Sequence, residues 1–243
     1  MTRTALVTGA SGGIGSAIAR RLAEDGMRVV VGYHSNAAAA RVVVESLAPG
    51  AEHEALQISI LDSEKLTAAA ATIGSLEVLV NCAGITEGVA HGDLDGLSDE
   101  VIDRIFATNV RGPFATVRAM RPLLEASPNA VIVNISSVSA ITGQGSNIAY
   151  CASKAALDSM TRSLARALAP SIRVVSVSPG WVRGEYADCM PADALAIQAS
   201  ATPLGRLAVP EDVAAAVSAV VHDLPFTTGA VISVDGGRPL GTA

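Results

Sequence analysis

Aliphatic residues fall into two alternating patterns along this chain. Short runs rich in Val, Ile and Leu recur at 4–8 (TALVT), 28–33 (RVVVGY), 54–59, 76–81 (LEVLVN), 130–136 (AVIVNIS), 173–178 (RVVSVS) and 230–234 (AVISV). Such runs read as strands, and their near-continuous apolar character suits burial on both faces. Between them lie helix-period segments at 16–25, closed by Gly26, at 37–47, ahead of Pro49-Gly50, and at 63–73. Further segments follow at 98–124, with a bend expected at Gly112-Pro113, at 148–168, stopped by Pro170, and at 210–221. Alternating strands and helices without a long linker predict one α/β domain over 1–243. Its expected architecture is a doubly wound parallel sheet of about seven strands with helices on both faces. The stretch 183–203 breaks the pattern: it has no clear strand and carries Tyr186, Cys189, Met190 and two prolines. A segment of this length between elements predicts a substrate loop.

Composition narrows the partners. Half of the chain is hydrophobic but only 3% is aromatic, which suits a tight sheet under Ala-rich helices. The net charge is −6 and no Lys/Arg cluster occurs, which argues against nucleic acid and anionic membranes. No apolar run approaches the ~18 residues of a spanning helix. Cys82, Cys151 and Cys189 are an odd set without a CxxC, so a reducing cytoplasm is expected rather than a disulfide framework. The first strand starts within a few residues of Met1, and no leader peptide is expected. The four histidines, His34, His53, His91 and His222, lack ligand spacing, and no metal site is expected.

Candidate chemistry is concentrated in few residues. The chain holds two lysines and three tyrosines, and one of each forms Tyr150-Cys151-Ala152-Ser153-Lys154. On a helix that spacing puts phenol and ammonium on one face. A phenol titrates near pH ~10, and a cation about 4 Å away favours its ionised form by at most roughly 4 kcal/mol. Such a pair suits acid–base work, although YxxxK alone is a common surface pattern. Gly9, Gly13 and Gly15 lie between the first strand and its helix, where glycine permits a tight turn and close approach of a pyrophosphate to helix N–H groups. The spacing is Gly-x-x-x-Gly-x-Gly, not G-x-G-x-x-G.

With these motifs the chain resembles the short-chain dehydrogenase/reductase family. The resemblance is carried by Thr8-Gly9-Ala10-Ser11-Gly12-Gly13-Ile14-Gly15, Asn81-Cys82-Ala83-Gly84, Asn109, Ser137, Tyr150, Lys154 and Pro179-Gly180, in family order. Pro203-Leu204-Gly205-Arg206, Pro210-Glu211-Asp212-Val213, Thr228-Gly229 and Val234-Asp235-Gly236-Gly237 extend it over nearly the whole chain. It implies a Rossmann-type fold and a catalytic set of Asn109, Ser137, Tyr150 and Lys154. Tyr150 would be the acid–base residue, Ser137 would hydrogen-bond the substrate carbonyl, Lys154 would hold the nicotinamide ribose and lower the Tyr150 pKa, and Asn109 would join a proton relay. Ser136 is the neighbour most easily confused with Ser137, but a strand end alternates direction, so only one of the two faces the site. The implied cofactor contacts are Gly9, Ser11, Gly13, Ile14, Gly15, His34, Ser35, Asn36, Asn81, Ala83, Gly84, Tyr150, Lys154, Pro179, Gly180 and Val182. Ser139, Gln144, Trp181, Tyr186 and Met190 are the candidate substrate-pocket residues.

Some positions depart from the family pattern. The end of the second strand reads Gly32-Tyr33-His34-Ser35-Asn36, without the carboxylate that holds the ribose diol of NAD. NADP(H) is therefore favoured over NAD(H), although no strong cation is evident beside it. Ser59 and Gly184 replace an Asp and a Thr common in the family. The nearest branch in feel is the 3-oxoacyl-acyl-carrier-protein reductases. Residues 125–129 and Pro170-Ser171 lack the basic residues that would steer an acidic carrier, so acyl carrier protein is disfavoured as a partner. The leading expectation is an oxidoreductase for a ketone and its secondary alcohol, with a 3-oxoacyl group among the candidate substrates. The alternative is a non-catalytic dinucleotide-binding sensor or scaffold, and sugar-nucleotide epimerase chemistry would need a longer chain. A homotetramer is implied by the resemblance.

Overall fold

The computed structural model describes residues 2–184, 187 and 189–240. Seven strands form one parallel sheet: β1 (Thr4–Thr8), β2 (Arg28–Tyr33), β3 (Glu54–Gln57), β4 (Val78–Asn81), β5 (Ala130–Ile135), β6 (Ile172–Pro179) and β7 (Val231–Val234). Their spatial order is β3-β2-β1-β4-β5-β6-β7, and every neighbouring pair is parallel. The expected fold class is present.

Strand periodicity builds two cores at once. Ala5, Val7, Val29, Val31, Val78, Val80, Val131 and Val133 enter one apolar cluster, while Leu6, Val30, Leu79 and Ile132 enter the other. Successive side chains point to opposite faces, so a run without polar alternation must be covered twice. On the first face lie α1 (Gly13–Glu24), α2 (Ala37–Glu45) and α9 (Pro210–His222), through residues such as Ile18, Leu22, Val43, Val213 and Val217. On the second lie α3 (Ser63–Ile73), α5 (Gly112–Glu125) and α7 (Ile148–Leu168), through Leu66, Met120, Leu124 and Leu164. The helices α1 and α9 pack together, and Asp25 accepts a 2.7 Å hydrogen bond from Ser218.

Among the described residues, the other α-helices are α4 (Asp99–Phe106), α6 (Ser139–Thr142) and α8 (Ala192–Ser200). Two departures from the sequence reading matter. The long segment after β4 is interrupted by a π turn at Ala107–Arg111, one turn before the expected bend at Gly112-Pro113. Pro113 stands at the start of α5, where its missing N–H costs nothing, so it does not force the break. The 183–203 stretch is not irregular throughout, since α8 occupies part of it. That helix has no buried residue among those described, so no strong apolar stripe announced it.

All strands run the same way, but the order in which they are added to the sheet reverses between β1 and β4. In such sheets the crevice beyond the carboxyl ends of the strands, at this switch point, is where ligands bind. The loop after β1 and the loop after β4 meet there.

Candidate active site

The floor of the crevice is set by glycine geometry. Gly9 has a φ of +67°, and a Cβ on it would stand 2.8 Å from the Cα of Ala83. A Cβ on Gly15 would stand 2.3 Å from the carbonyl oxygen of Gly9. No side chain fits at either position without moving backbone. Thr8 completes the joint: its hydroxyl accepts from the N–H groups of Cys82 (3.1 Å) and Ala83 (3.2 Å). The helix α1 opens with no side-chain cap and no acidic residue in its first turn. Its positive end is thus left for an anion. These features fit a dinucleotide pyrophosphate over Gly9, Ser11, Gly13, Ile14 and Gly15.

At the adenosine end of such a ligand lie His34, Ser35 and Asn36, all exposed. Asn36 is already engaged, since its Oδ1 caps α2 by accepting from Ala39 N–H at 3.0 Å. His34 lines a pocket with Gln57, Ser59, Lys65 and Thr72. The chain's second lysine therefore stands on the pocket beside the β2 end, a cation that the local sequence around His34 did not reveal.

The polar cluster is built from four elements. From the end of β5, Ser136 and Ser137 diverge. The Ser136 hydroxyl donates to the Lys154 carbonyl (3.4 Å), whereas the Ser137 hydroxyl donates to Ser139 Oγ (3.1 Å) and also reaches the Tyr150 phenol. The alternation at the strand end thus places Ser137, not Ser136, beside Tyr150. Asn147 caps α7 by accepting from Tyr150 N–H at 2.7 Å, and its own amide donates to the Glu87 carbonyl at 2.7 Å. Asn147 went unremarked in the sequence. Its signal was an Asn just ahead of an apolar-periodic run.

Lys154 is buried, and its Nζ donates to the Ile135 carbonyl at 2.8 Å. It sits 5.7 Å from the centroid of the Tyr150 ring. Burial pulls its ammonium down to about 8. Tyr150 shifts the opposite way: burial pushes its phenol above the ordinary value, and the Ser137 hydroxyl opposes that push. The expected lowering by Lys154 is not what governs this phenol. Desolvation disfavours the charged form of both groups, so two partners sharing a buried site drift apart rather than together.

Asn109 lies in the π turn. Its Oδ1 accepts from Ile85 N–H (2.9 Å), and its Nδ2 donates to the Ile85 carbonyl (2.9 Å) and to Ser153 Oγ (3.1 Å). The extra residue of a π turn displaces one side chain out of register, here toward the loop after β4. A Cβ on Gly84 would stand 3.3 Å from Asn109 Oδ1 and 3.6 Å from Lys154 Nζ, so glycine keeps open the space above both. Asn81 donates to Asn134 Oδ1 (2.9 Å), Asn134 donates to Thr161 Oγ1 (2.8 Å), and Thr161 pairs with Ser176 (2.9 Å). This buried polar chain ties β4, β5, α7 and β6 together under the site. Cys82 and Cys151 are shielded thiols, the former pushed up to about 11 by burial.

At the far wall, Pro179 pairs with Val234, and Gly180 N–H donates to the Val234 carbonyl at 3.0 Å. A Cβ on Gly180 would stand 3.0 Å from Asp235 Cα. Val182 bridges to Ala208, and the Trp181 carbonyl accepts from Ala208 N–H. Of the proposed pocket residues, Ser139 is buried against Ser137, Gln144 is exposed just past α6, and Trp181 and Met190 are half-buried. Tyr186 lies outside the described residues. Among those described, no group of His, Cys, Asp and Glu is arranged to hold a metal ion, and no helix is long and apolar enough to cross a membrane.

Comparison with known proteins decides the family. A family model described as enoyl-(acyl carrier protein) reductase matches residues 9–238. A solved short-chain dehydrogenase/reductase from Brucella melitensis, described as glucose/ribitol dehydrogenase, superposes with a TM-score of 0.90 at 29% identity, over 97% of this chain and 96% of that one. The chain belongs to the short-chain dehydrogenase/reductase family. Within it, the 3-oxoacyl-(acyl-carrier-protein) reductase FabG of Staphylococcus aureus is 34% identical over 98% of each chain. The cis-4-hydroxycyclohexanecarboxylate dehydrogenase of Sinomonas cyclohexanicum is 39% identical over 97% of this chain and 96% of that one. As a member of this family the protein is an oxidoreductase of the alcohol–carbonyl class.

Proposed function

We propose that this protein transfers hydride between NADP(H) and a ketone/secondary-alcohol pair, with Ser137, Tyr150, Lys154 and Asn109 as its working residues. The observation that carries the reading is the convergence of Ser137 and Lys154 on Tyr150 below the open space at Gly84. A bound nicotinamide supplies or accepts the hydride. Ser137 orients the substrate oxygen by hydrogen bonding. Tyr150, whose raised pKa keeps its proton in place, donates that proton as alkoxide character develops and takes it back in the reverse direction. Lys154, one helical turn away, places a positive charge near the oxygen. Asn109 holds the π turn against α7 at Ser153, the residue immediately before Lys154. The cofactor would be held by Gly9, Ser11, Gly13, Ile14 and Gly15 at the pyrophosphate, by Asn81, Ala83 and Gly84 beneath, and by Pro179, Gly180 and Val182 at the nicotinamide end.

NADP(H) is favoured because the end of β2 carries no carboxylate to repel a 2′-phosphate. His34, Ser35 and the Nδ2 of Asn36 offer hydrogen bonds, and Lys65 adds charge in the adjoining pocket. The protein functions as one domain with a substrate loop near 183–203, and free thiols at Cys82, Cys151 and Cys189 suit a cytoplasmic setting. A homotetramer is the assembly that accords with the family.

The substrate favoured is a free small molecule, as the name of the cyclohexanecarboxylate relative suggests. A carrier-bound 3-oxoacyl group is the second reading, favoured by similarity to FabG. Against it stands the loop that borders the cluster. Its contacts with the α7 entry run through Val89 N–H to Ser146 and Asn147 to Glu87, and it exposes Asp93 and Asp95, while Glu87 is paired with Arg104. An acidic carrier would meet like charge there. The test is oxidation of NADPH and NADH with free cyclic and open-chain ketones and with 3-oxoacyl-carrier substrates, beside Tyr150→Phe. Equal rates for wild type and variant would remove Tyr150 from its role, and faster turnover of the carrier-bound substrate would reverse the substrate preference.

A further inference from the structure

One buried acid near the site has no part in the scheme above. Asp158 lies on α7 four residues beyond Lys154, hence on the same helix face one turn away. It is 4% exposed, Lys154 is 7% exposed, and the Oδ1 of Asp158 is buried without a hydrogen-bond partner. A carboxylate so placed is costly unless an opposite charge compensates it. We propose that Asp158 is a positioning residue that compensates Lys154 from within α7 and holds it in its charged form. The proposal rests on the reading of Lys154 as the cation beside Tyr150.

The surroundings leave Asp158 as the carboxylate acting on Lys154. From the loop after β4, Cys82 faces the ammonium, but burial pushes its thiol up to about 11, so it stays neutral at ordinary pH. From α7 itself come Tyr150, whose phenol also stays protonated, and the exposed Arg162 and Arg166. The elements packed against α7 contribute little more. Asp99, Glu100, Asp103 and Arg104 of α4 and Arg111 of the π turn are exposed, and α6 and β5 carry no charged residue. On β6, Arg173 is committed to the carbonyls of Val220, Leu224 and Thr227. Burial draws Lys154 down to about 8, and Cys82 and then Asp158 counter that fall; with the Cys82 thiol neutral, Asp158 is the charge that remains to do so. Without it, the ammonium would lose its proton within the physiological range.

The lysine content makes the test direct, because Lys65 and Lys154 are the only lysines in the chain. Lysine labelled with 13C at Cε gives two signals, and Lys65→Arg assigns them. Asp158→Asn should move the Lys154 titration down by about half to one pKa unit and leave Lys65 in place, and Asp158→Glu should restore most of the shift. Asp158→Ala, which leaves no orphaned polar atom, serves if the amide variant does not fold. The alkaline limb of the activity profile should move to lower pH by the same amount. A Lys154 titration unchanged in a folded Asp158 variant overturns the proposal. A titration that moves while the activity profile does not upholds the pairing and sinks the catalytic reading of Lys154.

Discussion

The Nδ2 of Asn109 donates to Ser153 Oγ at 3.1 Å, tying the π turn to the residue immediately before Lys154. With its two bonds to Ile85, this one amide holds three pieces of chain. Asn109→Ala should therefore destabilise the fold by about 2–4 kcal/mol, since it also strands the Ile85 N–H. Ser153→Ala removes one of those bonds and should cost about 1 kcal/mol. Urea denaturation of both variants checks the order, and equal losses would mean that the amide does not bridge as described.

Ser136 and Ser137 offer a matched pair. Ser137→Ala should lower kcat/KM by about 100-fold, the scale of losing one preorganised donor to the reacting oxygen. Ser136→Ala, whose hydroxyl serves the Lys154 carbonyl instead, should stay within about threefold of wild type. Steady-state kinetics on one ketone decides between them, and the reverse ranking would reassign the serine.

Lys154 carries a stability cost with a definite sign. Its folded pKa, about 8, lies below the ordinary lysine value of 10.5, so between those values the unfolded chain binds more protons. Stability should rise with pH across that window. Lys154→Met made together with Asp158→Leu, so that no buried carboxylate is left unpaired, should abolish turnover yet raise stability at pH 7 by roughly 1–3 kcal/mol. The advantage should be full below about pH 8 and vanish above about pH 10.5. Denaturant midpoints at pH 7 and pH 10.5 test this, and a variant less stable than wild type at pH 7 would falsify it.

Gly15→Ala places a methyl against the Gly9 carbonyl, which stands 2.3 Å from the Cβ position. The turn must open, so dinucleotide affinity should fall at least tenfold, with a stability loss of about 1–3 kcal/mol. Gly26→Ala is the control: its Cβ meets nothing within 4 Å, but its φ of +83° carries strain, so it should lose stability and keep affinity. Fluorescence titration with NADPH separates the two.

The sheet was legible because its signal is local. The doubly apolar strands and the glycine turn are written in consecutive residues, and β1, β2, α3 and α7 begin and end where the pattern places them. The reading makes β3, β4, β5 and β7 one or two residues too long, and makes β6, read over 173–178, one residue too short at each end, because the last ladder bonds depend on the neighbouring strand rather than on local hydrophobicity. The π turn was not legible, since it comes from the pull of Ile85 and Ser153 on Asn109, contacts distant in sequence. The same holds for Lys65, whose place beside His34 depends on how α3 sits over the β3 end. The divergence of Ser136 and Ser137 follows from simple strand alternation once the register is known. The direction of the Tyr150 shift could not be read from spacing, because the burial that drives it is a property of the whole fold.

The hydrogen bond between Asp25 and Ser218 bears on how the molecule is made. It joins the first helix to the last across 193 positions, where Ile18 and Leu22 share one core with Val213 and Val217. A ribosome must therefore release almost the entire chain before the glycine turn of α1 has its supporting face covered. Nascent chains cut short ahead of residue 210 would expose that apolar face to chaperones and proteases, and a dinucleotide could not rescue them.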